Sequence, residues 1–224
     1  MTDSHLPSPL TLPRAVVFDW DNTLVDTWPI IHDALNHTFR AWGLREWTLE
    51  ETHAKVRKSL RDSFPGLFGD DWEKAGDVFY ARYGAIHAEK LQPAAGAAAL
   101  LQGLTDAGVY LCVVSNKKGS FLRKEAQALG WTGHFGALVG AMDAPRDKPA
   151  RDPIDMALNP GGMAAGEGVW FVGDADVDME CAHGAGCYPV LIRPQPPGLD
   201  EFVNFPPALH FADCDSLCKF TQTL

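Results

Sequence analysis

Residues 15–18, Ala-Val-Val-Phe, run directly into Asp19-Trp20-Asp21, so an apolar stretch of strand length ends in two carboxylates two positions apart. Apolar residues without polar alternation predict a strand covered on both faces, the environment of a parallel sheet flanked by helices. Charges at the end of such a strand need a partner, and a divalent cation is the obvious one. In an open α/β sheet, ligands sit outside the carboxyl ends of the strands, which puts Asp19 and Asp21 at the mouth of a site. Taken alone, the pair is also what an Asp-rich turn after a strand looks like.

The texture changes twice along the chain. Residues 28–91 are helical: Ile30, Ile31, Ala34, Leu35, Thr38, Phe39 and Trp42 recur at three- and four-residue steps up to Gly43. Thr48-Leu49-Glu50-Glu51 has the form of a capping box that starts a second helix. Lys58 to Gly66 reads as a loop, and Asp70 opens a third helix carrying Trp72, Val78, Phe79, Tyr83 and Ile86. From Pro93 onward helices alternate with strands, which predicts a parallel sheet with right-handed crossovers. Strands are expected at 109–114, 137–139, 169–172 and 189–192, and an irregular Pro-rich tail at 194–207. The sheet domain is thus discontinuous, 13–27 plus 92–224, with 28–91 inserted as a helical cap after the carboxylates and 1–12 as a flexible tail. The aromatics Trp28, Trp42, Trp72 and Phe79 are expected to pack the cap.

Composition narrows the partners. A net charge of -10 and the absence of a basic run disfavour nucleic acid and anionic membranes. Residues 1–14 lack the basic start and apolar segment of a secretory signal, and no run approaches a membrane span, so the expected location is the cytoplasm. Five cysteines, an odd set without a Cys-x-x-Cys pair, are expected to be reduced thiols, Cys214 and Cys218 standing at helical spacing.

Four strand exits or loops carry polar groups: Asp19, Asp21 and Thr23; Ser115 and Asn116; Lys148; Asp174 and Asp178. Acids for a cation, a hydroxyl and an amide for hydrogen bonds, and a lysine for a charged oxygen together suit a phosphoryl group. Mg²⁺ takes hard oxygen ligands and would offset the repulsion between an anionic nucleophile and an anionic substrate. Alone, Lys148 reads as a surface lysine, with Arg146 as its rival.

Asp19-x-Asp21-x-Thr23, Ser115-Asn116, Lys148-Pro149 and Gly173-Asp174-x-x-x-Asp178 resemble, in order and spacing, the four motifs of the haloacid dehalogenase-like hydrolase superfamily. Residues 18–27, with a helical insertion directly after them, are most similar to its phosphoglycolate phosphatase-like branch. The resemblance implies a Rossmann-like, three-layer αβα core with an α-helical cap. It implies a phosphatase acting on a small phosphorylated metabolite, phosphoglycolate-like or a sugar phosphate; the oligomeric state, monomer or homodimer, stays open. By the same resemblance Asp19 is the nucleophile, Asp21 the acid and base, and Ser115, Asn116 and Lys148 the phosphate contacts. Mg²⁺ is assigned to Asp19, the Asp21 main-chain carbonyl, Asp174 and Asp178, and a cap contact to substrate to Arg61 in the cationic stretch Arg57 to Arg61. Asp21 argues against true dehalogenases, which lack an acid there, and against a phosphonoacetaldehyde hydrolase-like enzyme. A β-phosphoglucomutase-like mutase and a receiver-like regulatory module are the alternatives. Asn22 stands where the branch commonly has Gly; if the position needs a positive φ, Asn is among the few other residues that adopt it.

Overall fold

The computed structural model describes residues 10–56 and 58–224; residues 1–9 of the expected tail, and Arg57, lie outside them. In chain order the elements are β1 (Ala15–Phe18), β2 (Val25–Asp26), α1 (Trp28–Ala41), α2 (Leu49–Lys55), α3 (Leu60–Phe68), α4 (Trp72–Lys90), β3 (Gln92–Pro93) and α5 (Ala97–Asp106). They continue as β4 (Tyr110–Lys118), α6 (Gly119–Ala128), β5 (Phe135–Ala141), α7 (Asp152–Leu158), β6 (Val169–Gly173), α8 (Asp176–Ala185), β7 (Tyr188–Ile192), β8 (Leu209–Phe211) and α9 (Cys214–Thr221).

Strands β5-β4-β1-β6-β7-β8 form one sheet in that order, every pairing parallel. β1 lies between β4 and β6, so the chain builds outward from it in both directions and its carboxyl end falls where the order reverses. The strand alternation sorts side chains onto two apolar layers. Val16, Phe18, Leu111, Val113, Trp170 and Val172 pack under α5, α6 and α9. Ala15, Val17, Cys112, Val114 and Phe171 pack on the other face under α7 and α8. Both faces being covered is why these strands read as unbroken apolar runs. The cysteines are free and buried, serving as small apolar residues.

Helices α1 to α4 leave the sheet after β1 and return before α5, and β2 pairs antiparallel with β3 where the two connections run side by side. These helices close around Leu35, Phe39, Phe64, Phe68 and Ala75. Trp42, Trp72 and Phe79 pack against that cluster as expected, whereas Trp28 lies against the His53 ring, centroids 4.3 Å apart. The capping box of α2 is formed: Glu51 N donates to Thr48 Oγ1 at 3.1 Å, and Thr48 N to Glu51 Oε2 at 3.0 Å.

The stretch read as a loop is instead the helix α3. Ser, Asp, Pro and Gly suggested a turn, but Phe64 and Phe68, four apart, bury one face, and that packing outweighs the hydrogen bond lost at Pro65. β8 was missed as well, three half-buried residues at a sheet edge carrying no apolar run, as were the two-residue strands β2 and β3.

Gly140 holds β5 close to the site-bearing end of β4. A Cβ there would meet the Gly119 backbone and the Lys117 carbonyl, which cannot move aside as a side chain could. Gly140→Ala is therefore expected to lose ~1–3 kcal/mol in urea unfolding. Gly133→Ala, facing open space, should stay within ~0.5 kcal/mol of wild type.

Candidate active site

β1 delivers Asp19 to the carboxyl edge of the sheet, where its amide donates to Val172 O of β6 at 2.8 Å and its side chain is buried. The following loop is tied to itself: Leu24 N and Val25 N both donate to Trp20 O, at 3.0 and 3.1 Å. Asn22 turns the chain at φ 60° and accepts from Thr27 N at 3.2 Å, so this position does need a positive φ and Asn supplies it. Gly173 is required for room rather than for φ, since a Cβ would run into the Asp178 carboxylate.

Lys148, on the loop after β5, is buried and links the two ends of the site. Its Nζ donates to Asp19 Oδ1 at 2.6 Å and to Asp178 Oδ1 at 2.7 Å. The other Asp178 oxygen accepts from Ala175 N at 3.0 Å, at the start of α8. Oxygens of Asp19, Asp174 and Asp178 lie within 4.8 Å of one another, a hard-oxygen donor set of the kind Mg²⁺ takes. Ser115 Oγ accepts from Lys117 N at 3.2 Å, and Asn116 Nδ2 donates to Lys148 O at 3.2 Å. Buried Asn116 Oδ1 has no protein hydrogen-bond partner, and Asn116 lines the cavity with Asp19, Asp21, Ser115, Lys148 and Asp174.

A second lysine repeats the pattern on the acid side. Lys117 Nζ lies 2.6 Å from Asp21 Oδ1 and 2.6 Å from Glu125 Oε2. Glu125 is fully buried, and besides Lys117 it meets Trp20 Nε1 at 2.8 Å, Tyr83 Oη at 2.9 Å and His87 Nδ1 at 3.2 Å. Trp20 belongs to the carboxylate loop and Tyr83 and His87 to α4, so one carboxylate joins the loop, α6 and the inserted helices. Asp21 Oδ1 also accepts from Thr27 Oγ1 at 2.6 Å.

Burial pushes the Asp19 carboxyl up to about 7, against the pull of Lys148, with Asp178 and Asp21 reinforcing the rise. Burial disfavours charge on Lys148 too, but the Asp178 and Asp19 carboxylates outweigh it and hold the ammonium charged. Lys117 is likewise held charged, Asp21 overcoming burial with help from Glu125. Two obligate cations thus sit beneath a cavity floor rich in acids, an arrangement suited to receiving a group that is itself highly anionic once a metal is bound.

A family model described as haloacid dehalogenase-like hydrolase matches residues 16–192. The chain belongs to that family. A phosphoglycolate phosphatase of Xanthomonas campestris pv. campestris (strain 8004) is 31% identical over 181 residues, covering 79% of this chain and 81% of its own. One from Aquifex aeolicus (strain VF5) is 29% identical over 77% and 81% of the two chains. Among solved structures, a HAD-superfamily hydrolase from Ehrlichia chaffeensis aligns over 96% of this chain and 98% of its own, at 26% identity and a TM-score of 0.65. The fold also matches a predicted phosphoglycolate phosphatase from Haemophilus somnus 129PT, with a TM-score of 0.82 at 22% identity over 95% and 100% of the chains.

In this haloacid dehalogenase-like hydrolase, Asp19, Asp21, Ser115, Asn116, Lys148, Asp174 and Asp178 all face one cavity. Arg61 does not line it: its Nε lies 2.6 Å from Asp147 Oδ2, in a separate cleft with Arg146 and Pro149. Spacing alone could not reveal that α3 would turn Arg61 toward the loop preceding Lys148. Arg146 pairs with Asp152 at the surface, so of these two cations it is Lys148 that reaches the site. Glu125, Lys117, Tyr83 and His87 escaped the sequence reading. The available signal was Glu125 itself, an acid on the buried face of α6 beside Leu122 and Ala126. Among the described residues no helix is long and apolar enough to cross a membrane.

Two expectations follow from the charges. A carboxyl whose folded pKa is raised contributes stability that is present below its unfolded value of 3.8 and lost as pH rises through about 7. In EDTA, urea midpoints of wild type should therefore fall relative to those of Asp19→Asn between pH 5 and pH 8; a constant difference would contradict the raised pKa. Glu125→Ala leaves Lys117 with Asp21 as its one carboxylate partner and strands the buried donors of Trp20 and Tyr83, and should cost roughly 3–5 kcal/mol in the same measurement, with Glu125→Gln milder.

Proposed function

We propose that the chain hydrolyses small phosphomonoesters in a Mg²⁺-dependent reaction that passes through an aspartyl phosphate on Asp19. Family membership and the phosphatase relatives make it a phosphatase; the metal and the intermediate are our reading. The observation that carries it is the convergence of a buried carboxylate, a charged lysine 2.6 Å away and a second carboxylate two residues on, all reaching one cavity.

Asp19, Asp174 and the Asp21 main-chain carbonyl would hold Mg²⁺, supported by Asp178, which is also engaged with Lys148 and Ala175 N. When bound, the ion supplies the positive charge that lets an anionic nucleophile approach a phosphate dianion. An Asp19 oxygen attacks phosphorus in line with the ester oxygen, whose bond to phosphorus breaks as Asp21 donates a proton to the departing alcohol. Asp21, now ionised, takes a proton from water as the hydroxide attacks the acyl phosphate, which returns Asp19 and releases phosphate. Ser115, Asn116 and Lys148 hold the equatorial oxygens, the buried Asn116 Oδ1 orienting a neighbouring hydroxyl or bound water. Helices α1 to α4, residues 28–91 with their flanks, act as the cap that excludes water during transfer.

The relatives' name makes phosphoglycolate one ester to assay, alongside sugar phosphates; the phosphoryl end of the site is indifferent to the alcohol. We place the reaction in the cytoplasm, in keeping with five unpaired, buried cysteines.

Purified protein with Mg²⁺ should release phosphate from p-nitrophenyl phosphate, and EDTA or Asp19→Asn should abolish release. Asp21→Asn should still become phosphorylated slowly but turn over at least roughly a hundredfold more slowly than wild type. Normal turnover by Asp19→Asn would defeat the nucleophile assignment, and retention of the phosphoryl group without release would favour the mutase.

A further inference from the structure

The cavity above Asp19 has a volume of ≈ 160 Å³, and its two ends differ in chemistry. The floor is polar. The opposite wall, contributed mainly by the inserted helices, is apolar and aromatic: Ile31 from α1, Phe64 from α3, Phe79 from α4, together with Trp47, and Phe121 on the sheet side. The wall is also packed into a fixed shape: Phe64 and Phe79 meet edge to face at 5.7 Å, and Tyr80 stacks on Phe121 at 5.6 Å.

Polar groups that border this wall are already engaged. Tyr83 Oη donates to Glu125 at 2.9 Å. Lys117 and Lys148 are each held between two carboxylates. Lys118 lies 4.5 Å over the Tyr80 ring, and Lys55 lies 4.7 Å over Trp47 and 3.3 Å from Glu51. Lys55, Lys58 and Lys118 also line the cavity, but Lys55 and Lys58 are exposed, so their charges are shared with water. On the floor itself Asp19, Asp21, Asp174, Asp178 and Glu125 outnumber Lys117 and Lys148, so a divalent cation and the phosphoryl group leave no positive surplus there. A carboxylate on the alcohol half would be desolvated against aromatic rings, with only Lys118 and the water-exposed Lys55 and Lys58 to meet it.

We propose that the alcohol half of the substrate is small and apolar, an arylmethyl or branched short-chain alkyl group, so that the enzyme prefers such phosphomonoesters to phosphoglycolate and to sugar phosphates. This rests on the phosphatase reading above, because that reading fixes the phosphoryl end on the floor and leaves the ester to extend toward the wall. Size points the same way. The cavity's ≈ 160 Å³, close to the roughly 150 Å³ that holds one benzene molecule, must also take the phosphoryl group on the floor, so it admits a small alcohol half and excludes a nucleoside.

The test compares esters whose alcohols are similar leaving groups, so that reactivity does not masquerade as recognition. With Mg²⁺ and the full chain, benzyl phosphate and isopentyl phosphate should exceed phosphoglycolate and glucose 6-phosphate in kcat/KM by at least about tenfold, through KM. In Ile31→Thr, the ratio of benzyl phosphate to phosphoglycolate kcat/KM should fall several-fold. A ratio measured on one preparation is unaffected by any fraction that fails to fold. Binding is read separately by calorimetry, where 2-phenylethylphosphonate should bind tighter than 3-phosphonopropionate. Phosphoglycolate or glucose 6-phosphate equalling the apolar esters would overturn the proposal and leave the phosphatase standing. No release from any ester, with the phenyl phosphonate still preferred, would retain the apolar pocket and sink the phosphatase reading.

Discussion

Two buried lysines, each clamped between two carboxylates, are the interactions on which the site depends. Lys148 joins Asp19 to Asp178, and Lys117 joins Asp21 to Glu125. Pairs of this kind contribute little net stability, since desolvating both partners consumes most of the attraction. Their effect is geometric: an ammonium with two short contacts to fixed carboxylates leaves little freedom to the loop that carries it. The four acids arrive from β1, α6 and α8, so the lysines register these elements at the sheet edge to within a hydrogen-bond length.

The two clamps differ in what else they hold. Lys148 belongs wholly to the sheet domain and orders the floor. Through Glu125, Lys117 reaches Tyr83 and His87 on α4, so the acid side of the site is coupled to the inserted helices by hydrogen bonds in a dry environment. Arg61 makes a second link from α3 to Asp147, one residue before Lys148. The inserted helices are thereby fastened at both ends of the floor, and the wall they present is left free of committed polar groups. Under the proposed reaction, phosphoryl recognition and alcohol recognition are divided between two parts of the chain, a division that lets the wall vary while the floor stays constant.

Much of the fold was legible because burial writes itself into local composition. β1, β4 and β6 are covered on both faces and read as apolar runs, and α1 and α2 carry a 3.6-residue period and a capping box. α3 and β8 were not legible, since each is held by neighbours rather than by its own pattern. In the site the same line divides the residues. Asp19, Asp21, Asp174 and Asp178 follow strands at short, fixed offsets and Ser115 lies within β4 itself, so the sheet brings them together. Glu125 is 105 residues from Trp20 and 42 from Tyr83, and its role exists only once α4 and α6 are packed.

By itself the sequence determined that a parallel sheet would end in a cluster of carboxylates with a serine and an asparagine, because side-chain alternation and strand length fix which residues reach the sheet edge; Lys148, on a loop, was assigned to the site only through the resemblance. It also determined that Asn22 could make the turn between Asp21 and Thr23, since φ is a local property. The tertiary structure alone decided that Arg61 turns to Asp147, that Lys117 is shared by Asp21 and Glu125, and that aromatic side chains face the floor. Those outcomes depend on the competition of long side chains for charges and apolar surface supplied by distant segments, and that competition is resolved only when the helices pack.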